Sequence, residues 1–393
     1  MDLEMLDKLK TLEKSILALL ALVLLSSIGG GIINVLIQPY LKHIGLDPRE
    51  VGLLQFISSV ATSLSLVPAA YTSDRYGRKK IAIGSLIFSI PGFILILLPA
   101  ERVVLYVGFA LLGVGNAMTA VTLNPLLADV TPREKLDLVA SASQIIGLVG
   151  SLLGMALTWL PQLANISLGE IAVAYRMLMA LGGAVSVSGF TFLLLVRDPY
   201  GAPRGFKLGF SRETLLLTSL SALTALGAGA SIWMINYYFM SKFLVEAGEL
   251  GTRMMAETLL MIPSTSLAPL ISEKLGTLRA VVLLQSASIP FIIATAFSPD
   301  YLVAATVFTL RSVLMNAANP LMWSLTMRII GEEERSRYTM LNMLGWQLAG
   351  GAGAAIGGWL MSINLDYPLF FTSLIYLTQT ILLYLILHRK TQV

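Results

Sequence analysis

The chain has 393 residues, 56% of them hydrophobic and only 13% charged, with a net charge of +4. Soluble domains average about 45–50% apolar and ~25% charged residues, so this composition excludes an ordinary soluble globular domain. The lack of cysteine excludes disulfides, thiolate metal sites and cysteine nucleophiles. With only two histidines, His43 and His388, a histidine-based metal centre is not expected either.

Apolar runs of ~20 residues, long enough to cross a bilayer core as a helix, recur along the chain. Divided at charged residues and at Pro/Gly breaks, they predict an all-α integral membrane protein with twelve transmembrane helices. A mixed-charge opening (MDLEMLDKLKTLEK) is expected to form a short amphipathic helix. Spans follow at 15–41, 50–73, 80–99, 101–129, 136–160 and 170–196, making an N-terminal six-helix bundle over 1–196. Residues 197–212 (RDPYGAPRGFKLGFSR), with two prolines, three glycines and four basic residues, read as a linker. Six more spans, at 213–240, 251–272, 279–297, 301–328, 337–362 and 368–388, make a C-terminal six-helix bundle over 213–393.

Alternate loops differ sharply in basicity. One set, with both chain ends and the linker, holds about 20 of the 27 Lys and Arg residues; the other holds about 6, and Arg311 is left inside a span. The positive-inside rule therefore places both termini and the linker in the cytoplasm. The same side receives SDRYGRKK at 73–80, with five formal charges in the seven residues 74–80.

The halves echo each other at an offset near 199. Asp74-Arg75-Tyr76-Gly77 aligns with Glu273-Lys274-Leu275-Gly276, Asn124-Pro125-Leu126 with Asn319-Pro320-Leu321, and glycine-rich span 5 with glycine-rich span 11. A duplicated pair of six-span halves is a recurring transporter plan, with the substrate site near mid-membrane. AYTSDRYGRKK resembles the signature G-x-x-x-D-R-x-G-R-[RK] of the major facilitator superfamily, in the loop between spans 2 and 3. Asp74, Arg75, Gly77, Arg78 and Lys79 match, and Ala70 stands where the family has glycine. The resemblance implies two pseudo-symmetric bundles and a cytoplasmic latch formed by Asp74 and Arg78. Helix electrostatics supply a physical role: a carboxylate at this turn fits the free N–H groups of another helix start. The expected partners are span 11 near Arg335 for Asp74, and the start of span 5 near Arg133 for Glu273. Asp129 joins the gate by resemblance; the family's arginine seven residues later is Leu136 here, and Arg335 holds the equivalent place in the second half.

Ionisable groups inside spans are expensive and mark function. Arg311 lies about ten residues into span 10, roughly 15 Å deep at 1.5 Å per residue. It is expected to bind an anionic substrate group or to pair with a carboxylate. Glu257 in span 8 is the best such carboxylate, although Arg253, at i−4, is positioned to neutralise it. Helical spacing then collects a polar set for a substrate cavity: Asn34 and Gln38 in span 1, Gln55 in span 2, Asn116 in span 4, Trp233, Asn236 and Tyr237 in span 7, Asn316 in span 10, and Asn342 and Trp346 in span 11.

These features predict a secondary transporter that moves a small organic solute, anionic or amphipathic, by alternating access with proton coupling through Glu257 and Arg311. Lipophilic-compound efflux and sugar facilitation are the alternatives. The N-terminal half departs from drug/proton antiporters: span 5 reads GLVGSLLGMA instead of G-P-x-x-G-G, Phe109 stands near the usual span 4 arginine, and span 1 has no acid. A transport-dead receptor ranks below these, and no nucleophile–base pair or phosphate loop supports an enzyme. The expected partners are a small-molecule substrate, protons and the lipid bilayer, with no nucleic acid, cofactor or metal. The chain is expected to work as a monomer in a prokaryotic plasma membrane.

Overall fold

The computed structural model describes residues 3–98, 101–167, 169–197 and 209–391. Most of the expected linker, residues 198–208, lies outside the described residues. The described chain is helical, and it runs through twelve passages. They are α1 (Leu3–His43), α2 (Pro48–Tyr76), α3 (Arg78–Leu97), α4 (Arg102–Val130), α5 (Arg133–Leu163), α6 (Ile171–Leu195), α7 (Arg212–Phe243), α8 (Ala247–Leu275), α9 (Thr277–Ala296), α10 (Tyr301–Ile329), α11 (Arg335–Ile363) and α12 (Tyr367–Thr391). The opening amphipathic segment is not a separate helix, because its backbone runs unbroken into the first span.

Ten of these passages are long and apolar enough to cross a membrane alone, and α8 joins them when its segments Ala247–Thr265 and Ala268–Leu275 are taken together. The exception is α11. At 29 residues it is long enough, but Asn342, Gln347 and a run of glycines dilute its apolar character. A helix that packs closely against neighbours on several sides does not need lipid-facing bulk along its whole length.

Contacts divide the chain into two units. The first comprises residues 1–44 and 57–206, the second residues 45–56 and 207–393. Helix α2 is thus shared: residues 48–56 belong by contact with the second unit.

In the first unit, α1 packs along α5 and α6. A Cβ on Gly154 of α5 would lie 2.0 Å from the Ile28 carbonyl oxygen, so only glycine allows this approach. The second unit repeats the device where α7 packs along α11, since a Cβ on Gly357 would lie 1.9 Å from the Ala230 carbonyl oxygen. Close backbone approach substitutes here for the hydrophobic driving force that lipid removes.

The repeat extends to the turns. Gly77, before α3, has φ 99°, and Gly276, before α9, has φ 81°; both lie where residues with a Cβ are strained. Each glycine therefore allows the sharp turn between consecutive helices of its unit.

Helix starts are capped by their own sequence. Ser211 accepts from the Thr214 N–H at 3.2 Å for α7, and Asp300 accepts from the Val303 N–H at 2.9 Å for α10. Asp47 and Glu50 exchange reciprocal bonds of 3.0 and 2.9 Å at the start of α2. At the far end of α7, Lys242 pairs with Asp366 at 2.6 Å, and Tyr238 donates to the same carboxylate at 2.7 Å.

Candidate functional site

The second unit contains a cavity of about 380 Å³ to which all six of its helices contribute. Its wall includes Trp233 of α7, Glu257 of α8, Gln285 of α9, Arg311 of α10, Asn342 of α11 and Tyr376 of α12. This volume lies within the range of small-molecule sites, ~300–1,000 Å³.

Arg311 is 3% exposed. Its Nη2 donates to the Tyr376 hydroxyl at 3.0 Å, and its guanidinium lies 5.4 Å from the Tyr376 ring centre and 5.7 Å from that of Phe308. Its Nε is buried without a hydrogen-bond partner among the described residues. No carboxylate of a described residue pairs with it.

Arg253, 5% exposed, approaches Phe308 as well, with its guanidinium 5.2 Å from the ring centre. This second arginine is compensated: it pairs with Glu257 at 2.7 Å and donates to Asn236 Oδ1 at 3.0 Å. Two buried guanidinium groups thus share one aromatic ring, and among the described residues only one carboxylate serves them. The ring quadrupole attracts both cations but does not supply the missing negative charge. A buried, unpaired cation costs several kcal/mol, on the order of the penalty for a broken ion pair, and the uncompensated charge sits in the cavity wall.

The sequence-predicted site residues divide into four groups. Trp233, Glu257, Arg311, Asn316, Asn342 and Trp346 line the cavity together. Asn236 and Tyr237 stand outside its lining: Asn236 holds Arg253 from behind, and the Tyr237 hydroxyl donates to the Leu46 carbonyl at 2.9 Å. Asn34 is exposed, Gln38 buried and Gln55 half-buried, and none of the three is among the described lining residues of the cavity.

Asn116 lines a different feature, an apolar crevice of about 510 Å³ inside the first unit, walled by Ile90, Phe93, Leu112 and Phe190. Among the described residues no charged side chain lines it.

Gln285, Tyr376 and Gln379 line the cavity although the sequence reading passed over α9 and α12. The signal was present: Gln285 in VVLLQSASIP and Gln379 in YLTQTILL are isolated amides within apolar runs, and a polar side chain at membrane depth is a functional candidate.

Among the predicted gate residues, Arg78 pairs with Asp129 and donates to the Pro125 carbonyl at 2.9 Å, which ties α3 to α4. Gly77 provides the turn described above. Arg75 reaches the Tyr71 hydroxyl at 3.4 Å, and Arg335 caps the Met327 carbonyl at 3.0 Å. Asp74 and Glu273 are both exposed, with no ion-pair partner among the described residues.

The wall as a whole offers one uncompensated guanidinium, several amides and aromatic faces within six membrane helices. Charged, amide and aromatic groups thus meet in one space among the described residues. The fold has known counterparts. A bacterial homologue of the human lysosomal transporter Spinster, in an inward-facing conformation, superposes with a TM-score of 0.74 at 17% identity over 95% of this chain and 96% of that one. The nucleoside transporter NupG gives 0.73 at 14% identity over 95% and 99%, and a bacterial homologue of the iron transporter ferroportin 0.73 at 17% over 95% and 98%. In sequence, an uncharacterized membrane protein of Saccharomyces cerevisiae is 21% identical over 78% of each chain. The proton myo-inositol cotransporter hmit-1.2 of Caenorhabditis elegans is 25% identical over 39% of this chain, a stretch that spans 25% of the cotransporter's length. The family profile of the Major Facilitator Superfamily matches residues 19–354, and the chain accordingly belongs to the Major Facilitator Superfamily as a membrane solute transporter.

Proposed function

We propose that the chain is a secondary transporter of a small organic anion, working by alternating access and coupled to protons through Glu257. The observation that carries this reading is Arg311, buried in the cavity wall without a carboxylate partner. A permanently charged guanidinium at membrane depth is stabilised when an anionic substrate group completes it. Among the described residues Glu257 is the one carboxylate in the cavity wall, and it already neutralises Arg253. Protonating it removes that compensation and leaves two cations facing Phe308, so proton binding and anion binding favour each other through the shared charge balance. The proton-coupled naming of the worm cotransporter is compatible with this coupling.

In this reading Arg78, Asp129, Asp74, Glu273 and Arg335 serve a cytoplasmic gate. Asn34, Gln38, Gln55 and Asn116 serve the first half's share of the pathway, and the chain works as a monomer in a plasma membrane with both termini inside. The test is uptake into proteoliposomes, with and without an inward proton gradient, of a panel of carboxylates. Gradient-driven accumulation that is lost in Arg311→Gln supports the reading; uptake by that variant at the unaltered rate removes it.

The apolar crevice of the first unit favours a second reading, efflux of a lipophilic compound. Under that reading, transport of a hydrophobic dye persists in Arg311→Gln and fails when Phe93 is replaced by a polar residue.

A further inference from the structure

We infer that the solute recognised by the cavity of the second unit is a polyhydroxylated monocarboxylate, a sugar acid in chemical class. This deepens the anion reading above and rests on it.

Three buried polar atoms of the cavity-lining residues have no partner among the described residues: Arg311 Nε, Gln285 Oε1 and Asn342 Oδ1. Arg311 is 3% exposed and Gln285 6%. The three atoms differ in kind. The guanidinium N–H is a donor and needs an acceptor, best a charged one. The two amide oxygens are acceptors and need donors. Leaving a buried polar atom unsatisfied costs about 1–3 kcal/mol; the three atoms lie just beneath the wall surface, so one ligand that carries both complements and draws these side chains onto itself relieves all three. A carboxylate answers Arg311, and hydroxyl groups answer Gln285 and Asn342.

Simpler ligands answer only part of the wall. A plain carboxylate leaves the amide oxygens bare, and a neutral polyol leaves the guanidinium uncompensated. A phosphate ester brings nearly two negative charges, whereas Arg311 is the one basic side chain lining the cavity among the described residues, so a single negative charge is the match. The indole rings of Trp233, Trp323 and Trp346 also line the cavity. Their faces suit the C–H surface of a saturated ring, whose hydroxyls then point outward to the amides.

Three ring-sized probes test this on the purified full-length chain, read by quenching of tryptophan fluorescence: glucuronate, glucose and cyclohexanecarboxylate. Glucuronate is expected to bind about tenfold or more tightly than either of the others. Equal binding of glucuronate and cyclohexanecarboxylate overturns the hydroxyl requirement and leaves the anion reading standing. Equal binding of glucose and glucuronate overturns the anion reading as well. Binding of none of the three overturns the sugar-acid inference alone, since an anion of another class then remains for the uptake panel. In Gln285→Leu/Asn342→Leu the preference for glucuronate over cyclohexanecarboxylate is expected to collapse toward one; an undiminished preference refutes the assigned contacts. If the double variant does not fold, Asn342→Leu alone is measured by the same ratio.

Discussion

The two units carry the same helical device and opposite chemistry. Gly154 against Ile28 in the first and Gly357 against Ala230 in the second let paired helices approach to backbone contact, and Gly77 and Gly276 turn the chain at matching places. The enclosed spaces, however, do not match. The first unit's crevice is apolar, with Asn116 among its few polar lining residues, while the second unit's cavity gathers Arg311, Glu257, Gln285, Asn316 and Asn342. Duplication preserved the backbone constraints, because a Cβ at those glycines has nowhere to go. It left the cavity side chains free to diverge, because packing does not dictate them. The comparison places the charged and amide lining in the second unit's cavity and an apolar wall in the first unit's crevice.

The strongest way to break this comparison is to remove the charge on one side and the amide on the other. Arg311→Ala is expected to lower the rate of anion uptake roughly 100-fold, the scale of losing a buried charge-assisted contact. Asn116→Leu, in the first unit, is expected to change it less than about threefold. Initial uptake rates in proteoliposomes check both, and equal losses would mean that the units share the recognition.

A smaller effect sharpens the role of Glu257. Glu257→Gln keeps a hydrogen-bonding group beside Arg253 and removes the titration. Anion exchange between equal compartments is expected to continue, while accumulation driven by a proton gradient falls to that seen without one. A variant that still accumulates solute against its gradient assigns the coupling elsewhere.

The turns provide a stability comparison. At φ 99° and ψ 138° for Gly77, and φ 81° and ψ 149° for Gly276, a side chain is strained whatever its surroundings. Gly77→Ala and Gly276→Ala are each expected to cost about 1–3 kcal/mol, measured by thermal unfolding in the same detergent. Matching losses support equivalent turns, and a cost confined to one unit breaks the equivalence.

The smallest expected effect is at Glu334, just before α11. The Ser211 backbone N–H, 2.5 Å from its Oε1, holds this half-buried carboxyl below its usual range, helped by the Ser211 and Thr214 hydroxyls and by Arg337. A lowered folded-state pKa stabilises the fold above the unfolded value of 4.5 and loses that contribution as pH falls below it. Glu334→Gln should therefore flatten the acid limb of the unfolding temperature below about pH 4.5 and change little at neutral pH. An unchanged acid limb assigns the acid sensitivity to other carboxylates.

Much of the architecture was legible from the chain alone. Bilayer thickness fixes span length and backbone satisfaction demands helix, so hydropathy and breaks located the passages to within a few residues. Gly77 and the charged run around it announced the turn between α2 and α3. The site was legible only where a residue was costly enough to stand out. Arg311 and Glu257 did so by charge, and Trp233, Asn316, Asn342 and Trp346 by helical spacing. Gln285 and Gln379 did not, because a single amide within an apolar run does not say which way it faces. Asn236 and Asn116 fit the same polar pattern, yet one supports Arg253 and the other lines an apolar crevice.

The sequence by itself determined the membrane class, the twelve passages, the repeat and the family resemblance, since each rests on local spacing, charge or hydropathy that no packing alters. Only the tertiary structure decided which polar groups converge and which arginine keeps a carboxylate. Those outcomes depend on the rotation of each helix about its axis and on contacts between residues far apart in the chain, which local patterns do not encode.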